Sequence, residues 1–243
     1  VLSYDHKTNG LVFGFERDGN SHRQGLLFGY SKADAKSLTF SRNTDTFFVG
    51  AYGHRDYSRF KVSGSIIFGQ EQHKSNRWVL DNIHGEQIAS SKSRSHFLSP
   101  SVTLSTAYNL NSDFQLRPSA SVSYTYSRNS SYTESGTTNA NLVVNSRNLK
   151  ALNTRLQLEG TKQTRAGEVY ARAGLQYRQT KSGDIKASLA GNQFQFSPQT
   201  SKNVSGSFVG FGVNLHLNNQ YKLVADVEAG RMSGDEKYQR GQL

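Results

Sequence analysis

Ten segments of this sequence alternate between apolar residues and small or polar ones. In LRPSASVSYTYS (116–127), Val122 and Tyr124 share one parity, while Ser121 and Ser123 share the other. A period of two predicts a β-strand whose two faces meet different environments. The other segments are 10–16, 25–31, 46–54, 59–71, 98–108, 151–160, 168–178, 207–217 and 221–230. With partial strands at 1–4 and 238–243, the sequence predicts an all-β fold of about twelve strands, the first and last incomplete.

The supply of apolar residues is too small for these strands to enclose a conventional core. Only 35% of the 243 residues are hydrophobic, and the mean hydropathy is −0.64. A membrane barrel meets this shortage by turning its apolar residues outward to lipid and keeping polar ones in a wet interior. No run approaches the roughly 20 apolar residues that a membrane-spanning helix needs, which excludes a helical membrane protein.

The connections between the predicted strands alternate in length. Short connections at 16–24, 54–59, 109–115, 161–168 and 217–220 are interleaved with long ones at 31–45, 70–95, 127–150 and 180–203. Short turns on one rim and long loops on the other are typical of a transmembrane antiparallel up-and-down β-barrel. A soluble all-β protein is the alternative, but it gives no reason for this alternation.

The net charge of +11 favours an anionic membrane surface over nucleic acid as the partner. Basic residues are scattered singly between strands, without the stripe or recognition motif of a nucleic-acid-binding protein. We expect basic residues of the long loops to lie near lipopolysaccharide head groups, namely Lys74, Arg77, Lys92, Arg94 and Arg147. The absence of cysteine excludes disulfides and cysteine-based metal sites. No cofactor or metal is predicted.

The histidines are the candidates for catalysis. His54 with Asp56 is the nearest acid–base pair in sequence, and we interpret it as a solvated pair inside the barrel. His73 and His84 fall in a predicted long loop with Asp81 and Glu86, where polar loop residues are the simpler interpretation. No GxSxG, HExxH or Walker motif occurs, so we predict that the protein is not an enzyme.

Charged residues of inward parity are the candidate lumen lining. They are Arg117, Arg155, Arg172, Arg178, Glu159, Asp226 and Glu228. Opposite charges that face one another lower the cost of partly dehydrating each of them. These side chains either pair within the wall or contact a segment threaded through the barrel, and the sequence leaves both interpretations open.

The order of the segments resembles a known family. TFFVGAYG (46–53), KVSGSIIFG (61–69), a loop with Arg77, and a proline-entering strand followed by Tyr132, Glu134 and Gly136 resemble the C-terminal β-barrel translocator domain of bacterial autotransporters, the type V secretion proteins. The later strands up to YQRGQL (238–243) resemble the closing strands of that domain in the same order. Family members also have a helix in the pore and a terminal aromatic residue, neither of which we recognise here.

The resemblance implies a function in the bacterial outer membrane. Residues 1–243 are then a single barrel domain, a fragment of a longer precursor, that anchors an N-terminal passenger and helps to translocate it to the cell surface. The implied partners are outer-membrane lipid and lipopolysaccharide, the protein's own passenger and helix, and the barrel-assembly machinery. The alternative is a structural or pore-forming barrel without secretion, and a barrel enzyme is less favoured.

Overall fold

The structure, a computed structural model, describes residues 5–81, 83–197, 201–216, 222–233 and 236–242. Its strands are β1 (Asp5–Asp18), β2 (His22–Lys36), β3 (Phe40–Asp56), β4 (Lys61–Asp81), β5 (Gly85–Ser105), β6 (Tyr108–Asn109), β7 (Phe114–Asn129), β8 (Tyr132–Thr133), β9 (Leu142–Val144), β10 (Arg147–Thr164), β11 (Gly167–Ser182), β12 (Ile185–Leu189), β13 (Asn192–Phe196), β14 (Ser201–His216), β15 (Lys222–Met232) and β16 (Glu236–Gln242).

Eleven long strands of the described residues form one curled antiparallel sheet. The order is β1-β2-β3-β4-β5-β7-β10-β11-β14-β15-β16, so each long strand pairs with its neighbours along the chain, and the short β6 pairs with β7. This is the predicted up-and-down architecture. All ten predicted strands are confirmed within the described residues, which exclude 217 and 221, and the predicted strand end at 238–243 falls largely within β16. Residues 1–4, predicted to be part of a first strand, lie outside the described residues.

The sheet is apolar on its outer face and polar on its inner face. Phe15 on β1 is 72% exposed and Leu175 on β11 is 62% exposed, whereas the acidic Glu228 is only 3% exposed. Outward aromatic rings also contact one another, as in the pair Tyr30 and Phe47, whose centroids lie 4.8 Å apart. This inverted distribution matches a barrel wall whose outer surface faces lipid. It follows from the two-residue period of the strands.

The two rims differ as predicted, but two of the predicted long loops are largely strands. β2 and β3 continue through most of 31–45, and β4 and β5 occupy almost all of 70–95. The prediction of loops there was wrong because these segments are polar on both faces and so lack the apolar alternation, while their backbones pair in a continuous ladder. At about 3.3 Å per residue, β4 and β5 extend far beyond the roughly 30 Å hydrocarbon layer.

The other two long connections form a second sheet beyond this rim. Its order is β13-β12-β9-β8, which joins the connection between β7 and β10 to the connection between β11 and β14. An isolated antiparallel β-bridge between Ser90 and Ser135 attaches this sheet to the long strand β5. We call this side the long-loop end. Within the described residues, the fold has no helix long and apolar enough to cross a membrane.

Candidate functional site

Five charged residues of the interior and one glycine lie in one row that crosses six strands. The backbone register places these residues side by side on β7, β10, β11, β14, β15 and β16: Arg117, Glu159, Arg172, Gly210, Glu228 and Arg240. Neighbouring strands are about 4.8 Å apart, so the long side chains of adjacent strands meet. The charge alternates in sign along the row, interrupted only by Gly210.

Glu228 is the centre of this row. Its carboxylate is fully shielded from solvent and accepts hydrogen bonds from three arginines and a tyrosine. Arg172 Nε donates to Oε2 at 3.1 Å, Arg240 Nη2 donates to Oε1 at 2.5 Å, and the Tyr238 hydroxyl donates to Oε1 at 3.0 Å. Arg155 uses both Nη atoms, one of them at 3.2 Å from Oε1. These charged donors compensate for the loss of water around the carboxylate.

Gly210 makes the contact between Arg172 and Glu228 possible. It lies between them in the row, and a Cβ at this position would be 2.9 Å from Arg172 Nε and 3.2 Å from Arg172 Cγ. The arginine therefore crosses β14 above a strand position without a side chain. A larger residue at 210 would occupy the space that the arginine needs.

A second acidic residue, Asp226, is reached in the same way. The Tyr170 hydroxyl donates to Asp226 Oδ2 at 3.0 Å, and the tyrosine ring lies over Gly212 on the intervening strand. Arg172 Nη2 donates to Asp226 Oδ1 at 2.5 Å and so links both carboxylates. The glycines of β14 thus allow side chains on β11 to bind carboxylates on β15.

The remaining predicted lumen residues lie nearer the edge of this cluster. Arg117 Nη1 lies 3.4 Å from Glu159 Oε1, and Arg117 is 45% exposed, so this pair is more hydrated than the Glu228 centre. Arg178 lies further along β11, opposite Asn153 on β10 and Val204 on β14. The structure therefore joins Arg155, Arg172, Asp226 and Glu228 in one network, with Arg117 and Glu159 beside it.

Sequence reasoning missed four residues that complete this network: Tyr170, Phe208, Tyr238 and Arg240. The Arg155 guanidinium lies 3.5 Å from the centroid of the buried Phe208 ring, a cation–π contact. Tyr238 and Arg240 were within a predicted strand end, and their shared parity with the interior was the available signal. Phe208 gave no such signal, because an inward phenylalanine breaks the apolar-outward pattern.

Another part of the inner wall, on β4, β5 and β7, carries almost no charge. This holds at the level of the outward apolar side chains, which we call the apolar band. We call the inward faces of β4, β5 and β7 there the serine wall, and its residues are Ser63, Ser65, Ser99, Ser101, Thr103, Ser119, Ser121, Ser123 and Thr125. Ser65 and Ser101 are hydrogen-bonded at 2.7 Å, and Ser99 and Thr125 at 2.9 Å. We call the inward faces of β10, β11, β14, β15 and β16 the charged wall.

At the long-loop end, Glu134 holds the connection between β7 and β10 against the inside of β4. Arg77 donates to both carboxylate oxygens of Glu134, at 3.2 and 2.5 Å, and to the carbonyl oxygen of Ala140 at 2.8 Å. Gly136 has a φ of 104°, and a Cβ there would lie 2.5 Å from the Ile88 carbonyl oxygen. Arg77 is therefore inward and paired, which corrects its assignment to the loop surface near lipid.

Titratable groups at the long-loop end, beyond the apolar band, are shifted by their neighbours. Burial raises the pKa of Tyr132, and burial together with the charge of Arg42 lowers the pKa of Arg147. A side-chain hydrogen bond with His73 is the main cause that lowers the pKa of Glu71, despite partial burial. Arg147 is half-buried and has the inward parity of Arg155 on β10, which corrects its assignment to a loop surface.

Two of the histidine candidates, His54 and His73, contact polar side chains of the strands on which they lie or of neighbouring strands. His73 lies on β4, not in a loop, with Nε2 2.7 Å from Ser95 Oγ. The buried Ser95 hydroxyl donates to Glu71 at 2.6 Å, so it accepts from His73 instead of passing a proton to it, the reverse of a serine nucleophile. His54 Nε2 lies 3.6 Å from Asp56, which also pairs with Lys61. The described residues contain no group of three or more potential metal ligands.

Comparison with known proteins identifies the family. The family model described as Autotransporter beta-domain matches residues 1–228. The chain belongs to the autotransporter β-domain family. Outer membrane protein B of Rickettsia japonica is 30% identical over 157 residues, and its counterpart in Rickettsia prowazekii is 27% identical over the same length. Each match covers 60% of this chain and 10% of the relative, so the chain spans about a tenth of these relatives.

Solved autotransporter domains have the same fold. The translocator domain of NalP from Neisseria meningitidis superposes with a TM-score of 0.80 over 99% of this chain and 79% of that one, at 12% identity. The β-domain of the Bordetella autotransporter Brka gives 0.66 over 98% and 89%, at 18% identity. The chain is thus an autotransporter-type β-barrel of the bacterial outer membrane.

Proposed function

We propose that this domain anchors a passenger in the outer membrane and provides the interior path along which the passenger is exported. The observation that carries the proposal is the division of the inner wall. The charged wall satisfies its own side chains, whereas the serine wall presents short hydroxyls on three adjacent strands. Short polar side chains leave room for a polypeptide and offer it hydrogen bonds without a charge that must be desolvated.

The proposed partners follow from this role. They are the passenger with its connecting segment inside the barrel, the lipid and lipopolysaccharide around it, and the machinery that assembles outer-membrane barrels. The seven lumen residues named from the sequence then act as the wall of the path, with Arg155, Arg172 and Glu228 keeping that wall closed and rigid. We propose a transport and anchoring role, without catalysis, for residues 1–243 as one domain.

Narrowing the serine wall tests the path. Ser65, Ser101 and Ser123 face one another on adjacent strands, so replacing all three with tryptophan in the full-length precursor fills the interior beside them. The matched control places tryptophan at Ile66, Val102 and Val122, which are exposed on the outside of the same strands. We expect external protease to reach little of the passenger in the inward variant and nearly all of it in the control.

Heat-modifiable gel migration confirms that both variants contain folded barrels. Full surface exposure of the passenger in a folded inward variant would contradict export along this wall. Equal loss of exposure in both variants would show that tryptophan at this level disturbs assembly itself.

A further inference from the structure

Six basic residues on the outer face of the sheet form a cluster at the long-loop end. We call them the outer basic patch: Lys74, Lys92, Arg94, Arg128, Lys150 and Lys181. They lie on β4, β5, β7, β10 and β11, all are exposed, and their parity is that of the lipid-facing side chains. The patch therefore covers five adjacent strands on one side of the barrel.

The patch contains two pairs of like charge in direct opposition. Lys74 lies opposite Lys92 across β4 and β5, and Lys150 lies opposite Lys181 across β10 and β11. Side chains directly opposite each other on the same face are nearest neighbours, and like charges there destabilise a sheet. Two such pairs in one patch indicate that something outside the chain compensates them.

The five strands of the patch supply no outward acidic residue at its level to compensate it, and the outward Asp45 on the neighbouring β3 pairs with Lys32. No Asp or Glu occupies the outward positions of 70–76, 88–98, 124–128, 148–152 or 177–181, and none of the six bases has an acidic partner within 4.0 Å among the described residues. The interior differs, because Arg77, Arg117 and Arg155 each contact a carboxylate there. These three inward arginines are paired with carboxylates, whereas the described residues leave the outward patch without an ion pair.

The patch begins where the lipid-facing surface ends. Leu98, Tyr126 and Lys150 lie at one level on β5, β7 and β10, and Arg128 is two residues beyond Tyr126. Two residues of a strand span about 7 Å, and four, from Leu98 to Arg94, span about 13 Å. The polar head-group layer extends about 5–8 Å beyond the hydrocarbon on each side of a bilayer, and strand tilt shortens the height that each residue gains.

We propose that the outer basic patch binds the phosphate groups of a phosphorylated glycolipid in the outer leaflet, of the lipopolysaccharide class. Lys150 and Arg128 contact the phosphates nearest the acyl chains, which lie against Leu98 and Tyr126, and Arg94 with Lys92 contacts the phosphates of the sugar region. An acyl chain and a phosphate must be held together here, which distinguishes this ligand from free phosphate. This inference deepens the lipid partnership named under the proposed function and does not depend on export of a passenger.

Lipid binding by the purified protein tests the assignment. Fluorescent lipid A and its phosphate-free form are titrated into the full-length precursor in neutral detergent, and the fluorescence anisotropy gives the two dissociation constants. The patch variant replaces Lys92, Arg94, Arg128 and Lys150 with glutamine. The charge-matched control replaces Arg17, Arg59, Lys162 and Arg165, which are exposed at the opposite, short-turn rim.

We expect the native protein to bind lipid A at least about tenfold more tightly than the phosphate-free form, a preference that added salt weakens. The control variant keeps this preference and the patch variant loses it. Equal binding of both lipids by the native protein, or an unchanged preference in the patch variant, overturns the assignment and leaves passenger export untouched. If the fourfold variant does not fold, the double variants at Lys92 and Arg94 and at Arg128 and Lys150 must each lose part of the preference for the assignment to hold.

Discussion

The charged wall and the serine wall are built from the same kind of antiparallel strand and have the same apolar outer surface, but their inward side chains differ in length and charge. Five strands of the charged wall collect long side chains whose donors and acceptors satisfy one another around Glu228. Three strands of the serine wall carry side chains too short to cross the interior, such as Ser101 and Ser121. Side-chain length alone can therefore fill the barrel interior beside one group of strands and leave it open beside another group of the same sheet.

Removing the carboxylate of Glu228 gives the largest expected difference between the walls. Glu228→Ala leaves three arginines around a shielded site without their common partner, and we expect a loss of about 3–5 kcal/mol in the free energy of unfolding. Ser121→Ala on the serine wall should change it by less than about 0.5 kcal/mol. Urea unfolding in lipid vesicles, followed by circular dichroism, measures both, and equal losses would show that the walls do not differ in this way.

Charged substitutions on the outer surface should destabilise both walls to the same extent. Val122→Arg, outside the serine wall, and Leu156→Arg, outside the charged wall, should each cost about 2–4 kcal/mol because each places a charge in the hydrocarbon layer. Ser121 and Gln157, their inward neighbours, should tolerate arginine far better. The same unfolding assay decides the point, and equal costs at inward and outward positions would mean that the faces are assigned wrongly.

Gly210 allows a finer test of the charged wall. Gly210→Ala places a methyl group 2.9 Å from Arg172 Nε, so the arginine must shift away from Glu228, and we expect a loss of about 1–2 kcal/mol. Gly64→Ala on β4 is the control, since the nearest atom to a Cβ there is 3.6 Å away. If Gly210→Ala is as harmless as Gly64→Ala, the crossing of Arg172 above β14 is not needed for stability.

Lowering the pH should destabilise the folded protein through Glu71 at the long-loop end. This is the smallest of the four effects expected here. Its pKa is lowered in the folded protein, mainly by the hydrogen bond with His73, so folding gains stability above the unfolded pKa of Glu71. That contribution disappears as the pH falls through the lower folded pKa. Glu71→Gln should therefore flatten the acid side of the profile of stability against pH, and an unchanged profile would remove Glu71 as its cause.

The fold was predictable because the strands obey one rule over most of their length. Alternation located β7 and β10 and assigned faces to Val122 and Leu156, both of which are exposed. The rule failed beyond the apolar band, where β4 and β5 continue with polar residues on both faces and only backbone pairing reveals the strand. For the same reason, Arg77 and Arg147 were assigned to a loop surface although they face inward.

The candidate site was predictable in its composition but not in its contacts. Parity placed Arg155, Arg172 and Glu228 on one face, yet it could not show that they meet, since their contacts cross one or two intervening strands. The role of Gly210 depends on the register between β11, β14 and β15, which no local pattern encodes. Phe208 was missed because it is an apolar residue on the polar face, where its ring contacts the Arg155 guanidinium.

The most direct test of the account is to ask which wall an exported passenger touches. The chain has no cysteine, so single cysteines at Ser121 on the serine wall, at Gln157 on the charged wall and at the outward Val122 can be cross-linked to a cysteine in a stalled passenger of the full-length precursor. The account predicts strong cross-linking from Ser121→Cys, weak cross-linking from Gln157→Cys and none from Val122→Cys. Cross-linking that is equal from both walls, or stronger from Gln157→Cys, would contradict it.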